Sequence, residues 1–352
     1  MKILSIVGAR PQFIKLAPLS KKIRTKFNET IVHTGQHFDK GMSKLFFEQL
    51  EIPVPNYNLG ISGGNHGEQT GKMLVDIEEV LIKERPDLVI VFGDTNSTLA
   101  GSLASAKLGI KTIHIEAGLR SFNRNMPEEI NRIISDHSSD YLFAPTKTAV
   151  SNLRKEGLLS RTFLTGDIMV DSLKNNIEKA LQFSNIIGEL KIKTGKYYLL
   201  TLHRPYTVDN SLNLKLILDK LSTLGKEIVF PVHPRTNKII KDSKIRISKH
   251  IKLIEPLGYF DFISLEQNAE KIITDSGGIQ KEAYILKKPC ITIRPETEWI
   301  ETVQNGWNKL LMPNEQNFST AILNFIPVNT QINIFGSNVA TKMVSKICDL
   351  LY

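Results

Sequence analysis

Leu88-Val89-Ile90-Val91-Phe92-Gly93-Asp94-Thr95-Asn96 is an unbroken apolar run that stops on a glycine and an acid. Apolar residues without alternation read as a strand buried on both faces, as in a parallel sheet covered by helices. Before this run, Gln69–Glu84 carries Met73, Val75, Ile77, Val80 and Leu81 mostly along one helical stripe. After it, Thr112–Ile115 repeats the short apolar pattern and ends on Glu116-Ala117-Gly118-Leu119-Arg120. Strand, helix and strand in this alternation predict a doubly wound α/β sheet.

The pattern extends in both directions. Ile3–Val7, Thr30–His33, Tyr141–Phe143 and Thr162–Leu164 complete one set of strands. Tyr197–Leu202, Glu227–Val232, Lys252–Ile254, Lys271–Thr274, Cys290–Ile293 and Lys309–Leu311 form a second. Between the sets lies Lys174–Lys196, polar, with a helix and no strand. The chain therefore reads as two doubly wound Rossmann-like domains, 1–172 and 173–337, with a C-terminal helix at 338–352 packing back on the first. A length of 352 residues accommodates two cores.

Composition is that of an ordinary globular protein, 41% hydrophobic and 23% charged. The net charge of +9 is dispersed along the chain, so it predicts a general pull on anionic small molecules and no nucleic-acid partner. The densest basic run, Lys21-Lys22-Arg24-Lys26, ends an amphipathic helix. Cys290 and Cys348 lie far apart without metal-type spacing, which fits a reducing compartment. No apolar run approaches the ~20 residues that span a bilayer, and Met1-Lys2 leads directly into a strand. The expectation is a soluble, cytoplasmic protein with no membrane partner.

In open α/β sheets, ligands bind beyond the carboxyl ends of the strands. Those positions here hold Gly8-Ala9-Arg10-Pro11, Thr34-Gly35-Gln36-His37, Gly93-Asp94, Glu116 through a flexible Arg120-Ser121 loop, His203-Arg204-Pro205, His233-Pro234-Arg235 and Asp275-Ser276-Gly277-Gly278. Ser276-Gly277-Gly278 opens a helix with Ser276 as N-cap, which makes an anion site suited to a diphosphate, with Glu282 one turn on to reach a ribose diol. A capped tight turn is the bland alternative. Asp94 reads by itself as a helix cap, and Glu128 as dipole compensation paired with Arg132. Together with Glu116 they offer several candidates for general acid/base work. His37, His203 and His233 have no local metal-ligand spacing, and neither a dinucleotide fingerprint nor a P-loop is present. No metal and no cofactor is expected.

Taken in order, Gly8-Ala9-Arg10-Pro11…Lys15, His33-Thr34-Gly35-Gln36-His37, Gly93-Asp94-Thr95, His114-Ile115-Glu116-Ala117-Gly118-Leu119-Arg120, Pro127-Glu128-Glu129-Ile130-Asn131-Arg132, His203-Arg204, Asp275–Glu282 and Thr297-Glu298 resemble the non-hydrolysing UDP-N-acetylglucosamine 2-epimerases. The resemblance implies a GT-B type fold with the active site in the inter-domain cleft, a homodimer, and a UDP-linked amino sugar as substrate. It implies inversion at C2 by anti elimination of UDP to a 2-acetamidoglucal, followed by re-addition. By position it assigns Asp94, Glu116, Glu128 and His203 to catalysis. It assigns Arg10, Lys15, Phe262, Ser276, Gly277, Gly278 and Glu282 to UDP, with Arg132 and Arg294 at the substrate. Gln36, His37, Arg204 and His233 resemble a second site at which some bacterial members bind UDP-N-acetylglucosamine as an activator.

Three departures stand out. Gln12 replaces the Glu common after Arg-Pro, Pro205-Tyr206-Thr207 replaces x-Glu-Asn after His-Arg, and Trp299-Ile300 replaces Arg-Pro after Thr-Glu. Gln12 and Trp299 resemble the branch acting on UDP-2,3-diacetamido-2,3-dideoxyglucuronate, which is the alternative substrate. A GT-B glycosyltransferase and a non-catalytic nucleotide-sugar sensor are remoter alternatives, and neither needs three carboxylates together.

Overall fold

A computed structural model describes residues 1–36 and 40–351. The chain divides into two compact units, Met1–Asn175 together with the segment from Asn333 onward, and Asn176–Ile332. Each is built on a parallel sheet.

The first sheet contains β1 (Lys2–Val7), β2 (Asn28–His33), β3 (Tyr57–Asn58), β4 (Leu88–Phe92), β5 (Thr112–Ile115), β6 (Tyr141–Ala144) and β7 (Thr162–Leu164). Its order is β3-β2-β1-β4-β5-β6-β7, and every pairing is parallel. The second contains β8 (Tyr197–Thr201), β9 (Glu227–Pro231), β10 (Ile251–Ile254), β11 (Lys271–Thr274), β12 (Cys290–Thr292) and β13 (Asn308–Leu310). Its order, β10-β9-β8-β11-β12-β13, is again parallel and reproduces the same winding from its own first strand. The order reverses between β1 and β4 in one sheet and between β8 and β11 in the other. Such switch points open a crevice at the strands' carboxyl ends.

Burial explains the unalternating runs. Every residue of β4 is buried. In β8, Tyr198 and Leu200 face one core with Phe230 and Ile273, while Tyr197 and Leu199 face another with Val229 and Ile272. The helix His66–Glu84 buries Met73, Ile77, Val80 and Leu81 against β1 and β4 residues. Val75, counted in its stripe from sequence, instead lies on the solvent side, 59% exposed. β3 was not anticipated: it is two residues long and partly exposed, so it carries no period to read.

The helix Val339–Leu351 buries Val339, Ala340, Met343, Val344 and Ile347 and lies against the helix Arg10–Ile23 of the first unit. Its start is fixed by the Ala340 N–H, which donates to Asp171 Oδ2 at 2.7 Å. Among the described residues, no helix is long and apolar enough to cross a membrane.

Candidate active site

At the switch point of the first sheet, Gln12 stitches the two strand ends together. Its Oε1 accepts from the N–H groups of Gly8 (2.7 Å) and Ala9 (3.0 Å), and its Nε2 donates to Phe92 O (2.9 Å) and Thr98 Oγ1 (3.0 Å). The side chain is buried and its amide is committed to the protein. Lys15, one turn further along the same helix, forms a buried ion pair with Glu116. Each charge offsets the other's loss of solvation. Glu116 has a φ of +73°, a left-handed conformation costing roughly 1–2 kcal/mol for a residue with a side chain. It is held there as Glu116 N and Ala117 N both donate to Phe143 O at 3.1 Å. Gly93 also has positive φ (+65°), and a Cβ there would press on Glu116 Oε2 and Lys15 Nζ at 3.0 Å.

Asp94 does not cap the following helix. Thr95 does, its Oγ1 accepting from Thr98 N at 3.4 Å, and the helix runs from Asn96. The Asp94 carboxylate instead meets Arg132 Nη2 at 2.6 Å while remaining 29% exposed. Arg132 also reaches Glu129 Oε2 at 3.0 Å, and Asn131 Nδ2 donates to Asp94 O at 2.9 Å. Glu128 is half-buried on the first turn of the helix Pro127–Ser138.

The loop after Glu116 is pinned, contrary to the flexibility expected of Arg120-Ser121. Arg120 is buried between Asp136 (Nη1 to Oδ2, 2.7 Å) and Glu156 (Nη2 to Oε2, 2.7 Å). Ser121 N and Oγ donate to Glu129 Oε2 at 2.8 and 2.9 Å. Nothing in the sequence marks Asp136 or Glu129 as partners, since both sit at ordinary helical positions.

At the switch point of the second sheet, Asp275 is fully buried and accepts from His203 N (3.0 Å) and Arg204 N (2.9 Å). Its other oxygen lies 3.3 Å from His203 Nδ1. The histidine side chain is 41% exposed above it. Ser276 occupies the N-cap of the helix Gly277–Ile285 with extended backbone and no side-chain cap bond. Glu282 is buried on the same helix. Thr297 Oγ1 donates to Gln280 Oε1 at 2.6 Å, which lays the next residues along that helix. Glu298 there pairs with the buried Arg294 at 2.9 Å and packs closely on Gly277. Trp299 is buried with Lys281 Nζ 4.3 Å from its ring centre. Loss of solvation raises the Tyr206 phenol's pKa, and it feels the charges of Arg294, Asp275, Arg204 and Glu298.

The first unit thus gathers Lys15, Asp94, Glu116 and Arg132, and the second gathers His203, Ser276, Gly277, Gly278, Glu282 and Arg294. A family model described as UDP-N-acetylglucosamine 2-epimerase matches residues 21–349. The chain belongs to that family. It is 53% identical to a UDP-N-acetylglucosamine 2-epimerase homolog of Methanococcus maripaludis over 99% of this chain and 100% of that one. It is 48% identical to a UDP-2,3-diacetamido-2,3-dideoxy-D-glucuronate 2-epimerase of Pseudomonas aeruginosa, over 88% of each. The crystal structure of the Methanocaldococcus jannaschii UDP-GlcNAc 2-epimerase, in complex with UDP-GlcNAc and UDP, matches with a TM-score of 0.93 and 45% identity, covering 99% of this chain and 100% of that one.

The remaining positions matched to the epimerases fall differently. Arg10 lies 4.4 Å over the Phe46 ring. Phe262 is packed in the second unit's core with Leu199 and Val229. Gln36 Oε1 accepts from Ser97 N at 3.0 Å and Ser97 Oγ at 2.7 Å, at the start of the helix from Asn96. His233 caps the helix Pro234–Asp242, Nδ1 accepting from Arg235 N at 3.2 Å. Burial, with His203 and Arg235 nearby, lowers its pKa, as that acceptor role requires. His37 lies outside the described residues. Among the described residues, no cluster of His, Cys, Asp and Glu is arranged to hold a metal.

Proposed function

We propose that this epimerase interconverts UDP-N-acetylglucosamine and UDP-N-acetylmannosamine by anti elimination and re-addition of UDP. The observation that carries the reading is the placement of Asp94 and Glu116 at the ends of β4 and β5, each beside a buried cation, Arg132 and Lys15. A carboxylate takes the C2 proton as the C1–O bond breaks and its electron pair leaves with UDP. A second carboxylate, with Glu128 the third candidate, returns a proton to the opposite face of C2. The UDP oxygen then attacks C1 again. The proton is weakly acidic, so its removal depends on a positioned base and concerted departure of UDP.

Departing UDP gains charge, which the helix N-terminus at Ser276–Gly278, His203 and Arg294 stabilise. Glu282 takes the ribose diol, and Arg10 and Lys15 complete the nucleotide contacts. We assign His233 and Gln36 to no chemical step, since their described side-chain bonds secure helix ends. The protein acts as a homodimer, as the family resemblance implies, in the reducing cytoplasm that two free cysteines fit.

The second reading, epimerisation of the diacetamido uronate, is favoured by the Pseudomonas aeruginosa relative. Gln12 does not add to it, because its amide is spent between β1 and β4. Tyr206 and Trp299 do lie near the second unit's ligand residues. The test is to incubate the protein with each UDP sugar in heavy water and follow the anomeric and C2 protons by NMR. UDP-N-acetylmannosamine carrying deuterium at C2 is the expected product. A kcat/KM at least about a hundredfold higher on the uronate, or about 2.7 kcal/mol of discrimination, would reassign the substrate. Product without solvent hydrogen at C2 would reject proton exchange.

A further inference from the structure

His114 lies on β5 two residues before Glu116, wholly buried, and none of the chemistry above uses it. Its Nε2 is 2.6 Å from Gly93 O, and its Nδ1 is 2.7 Å from Asp136 Oδ1. A main-chain carbonyl oxygen can only accept, so Nε2 must carry a hydrogen. The other contact is settled by what surrounds Asp136. Its second oxygen, Oδ2, takes the Gly118 N–H at 3.0 Å and the Arg120 guanidinium at 2.7 Å, both donors that favour the ionised carboxylate. An ionised Asp136 can only accept, so Nδ1 carries a hydrogen as well.

The two bonds have distinct mechanical effects. The bond to Gly93 O fixes the turn that presents Asp94. Asp136, gripping Gly118 N and Arg120, fixes the loop that follows Glu116. We propose that His114 is a positioning residue that acts as a buried imidazolium, tying the Asp94 and Glu116 loops to a single charged centre through Gly93 and Asp136. The charges facing it are Asp136 on the helix Pro127–Ser138, and Arg120 with its second partner Glu156. Arg161 caps that helix's last carbonyls, with Nη2 at 3.0 Å from His137 O. A neutral ring would leave either Gly93 O or Asp136 Oδ1 facing a lone pair in a dry site, where an unsatisfied polar group is penalised.

The inference rests on the assignment of Asp94 and Glu116 as the acid/base pair, but its first test does not. In the full-length protein with 15N-labelled histidine, one ring should hold protons on both nitrogens at pH 8, where solvent-exposed histidines are neutral. H203Q should leave that signal in place, since His203 is the other ring beside a buried carboxylate, and H114Q should abolish it. Absence of a doubly protonated ring, or its loss in H203Q, overturns the proposal whether or not the protein epimerises anything. The second test is kinetic. H114Q and D136N should lower kcat about a hundredfold, the scale of an ångström's misplacement of catalytic groups, with UDP affinity by calorimetry within about twofold of the parent. A folded H114Q with parental kcat overturns the positioning role. Where H114Q does not fold, the labelled parent protein alone decides the charge state.

Discussion

β4 and β11 hold the same place in their sheets, each beside the first strand where the order reverses, and each leads to an aspartate, Asp275 directly after β11 and Asp94 one glycine after β4. Asp94 keeps part of its carboxylate in solvent and has a single guanidinium beside it. Asp275 is fully buried and spends both oxygens on backbone N–H groups and the edge of His203. Topology thus decides where a side chain is delivered, and its immediate partners decide whether any chemistry is left in it. The first unit retains the carboxylates proposed to move protons. The second consumes its acid in building a platform beneath a histidine and a helix N-terminus, where an anion is the natural guest.

The contrast breaks most visibly at the carboxylates. D94N and E116Q should each cut turnover by ~10²–10⁴, the usual range for an acid/base residue, while calorimetric UDP affinity stays near parental. An equal loss of UDP binding would erase the division of labour. Smaller effects are expected in the second unit. E282A should weaken UDP binding by about 1–3 kcal/mol, the scale of lost hydrogen bonds to a charged group. D275N should instead cost a similar amount in unfolding free energy, because a buried charge that accepts two N–H groups is replaced by an amide. UDP titrations and chemical denaturation of the two variants distinguish a ligand contact from a platform.

Gly278 separates fold from function at lower energy. A Cβ there would meet only Ser276 Oγ, at 3.9 Å. G278A should therefore leave thermal stability equal or raise it by up to about 1 kcal/mol from helix propensity, yet weaken UDP, since the methyl intrudes where a ligand nears the backbone. Undiminished UDP binding would remove the nucleotide from this helix end.

The smallest effect is acid sensitivity. His33 is buried against the rings of Phe13 and Phe47, and burial lowers its pKa from 6.5. With the folded value below the unfolded one, the unfolded chain binds more protons as pH falls through about 6.5, so stability is present above that pH and lost below it. His233 follows the same sign from a more open setting. Melting curves from pH 7.5 to 5 should show a flatter acid limb in H33F, and a lesser flattening in H233N, which keeps a capping side chain.

Much of this was legible beforehand because burial on both faces writes itself as unbroken apolar runs, and because the acids and glycines stand immediately after those runs. Cys290 in the core and Pro127 opening its helix follow from the same local logic. Partnerships across the fold were not legible. Asp136 and Glu129 look like any polar helical residues until the fold brings Arg120 and Ser121 to them. The packing of Phe262 in the second unit's core and the bond from Ser97 to Gln36 were equally invisible in the motifs that contain them.

Gln12 carries a last consequence, in terms of protons. A primary amide presents an acceptor to Gly8 and Ala9 and a donor to Phe92 O whatever the pH, because it has no proton to gain or lose in the working range. The glutamate more common at this position in the epimerases could take the same two N–H groups, but it could face a carbonyl oxygen favourably only while protonated. In this chain the joint between the strand that starts the sheet and the strand that presents Asp94 is therefore indifferent to acidity. The proton exchange proposed for Asp94 and Glu116 can then proceed without the frame beneath them being drawn into the same titration.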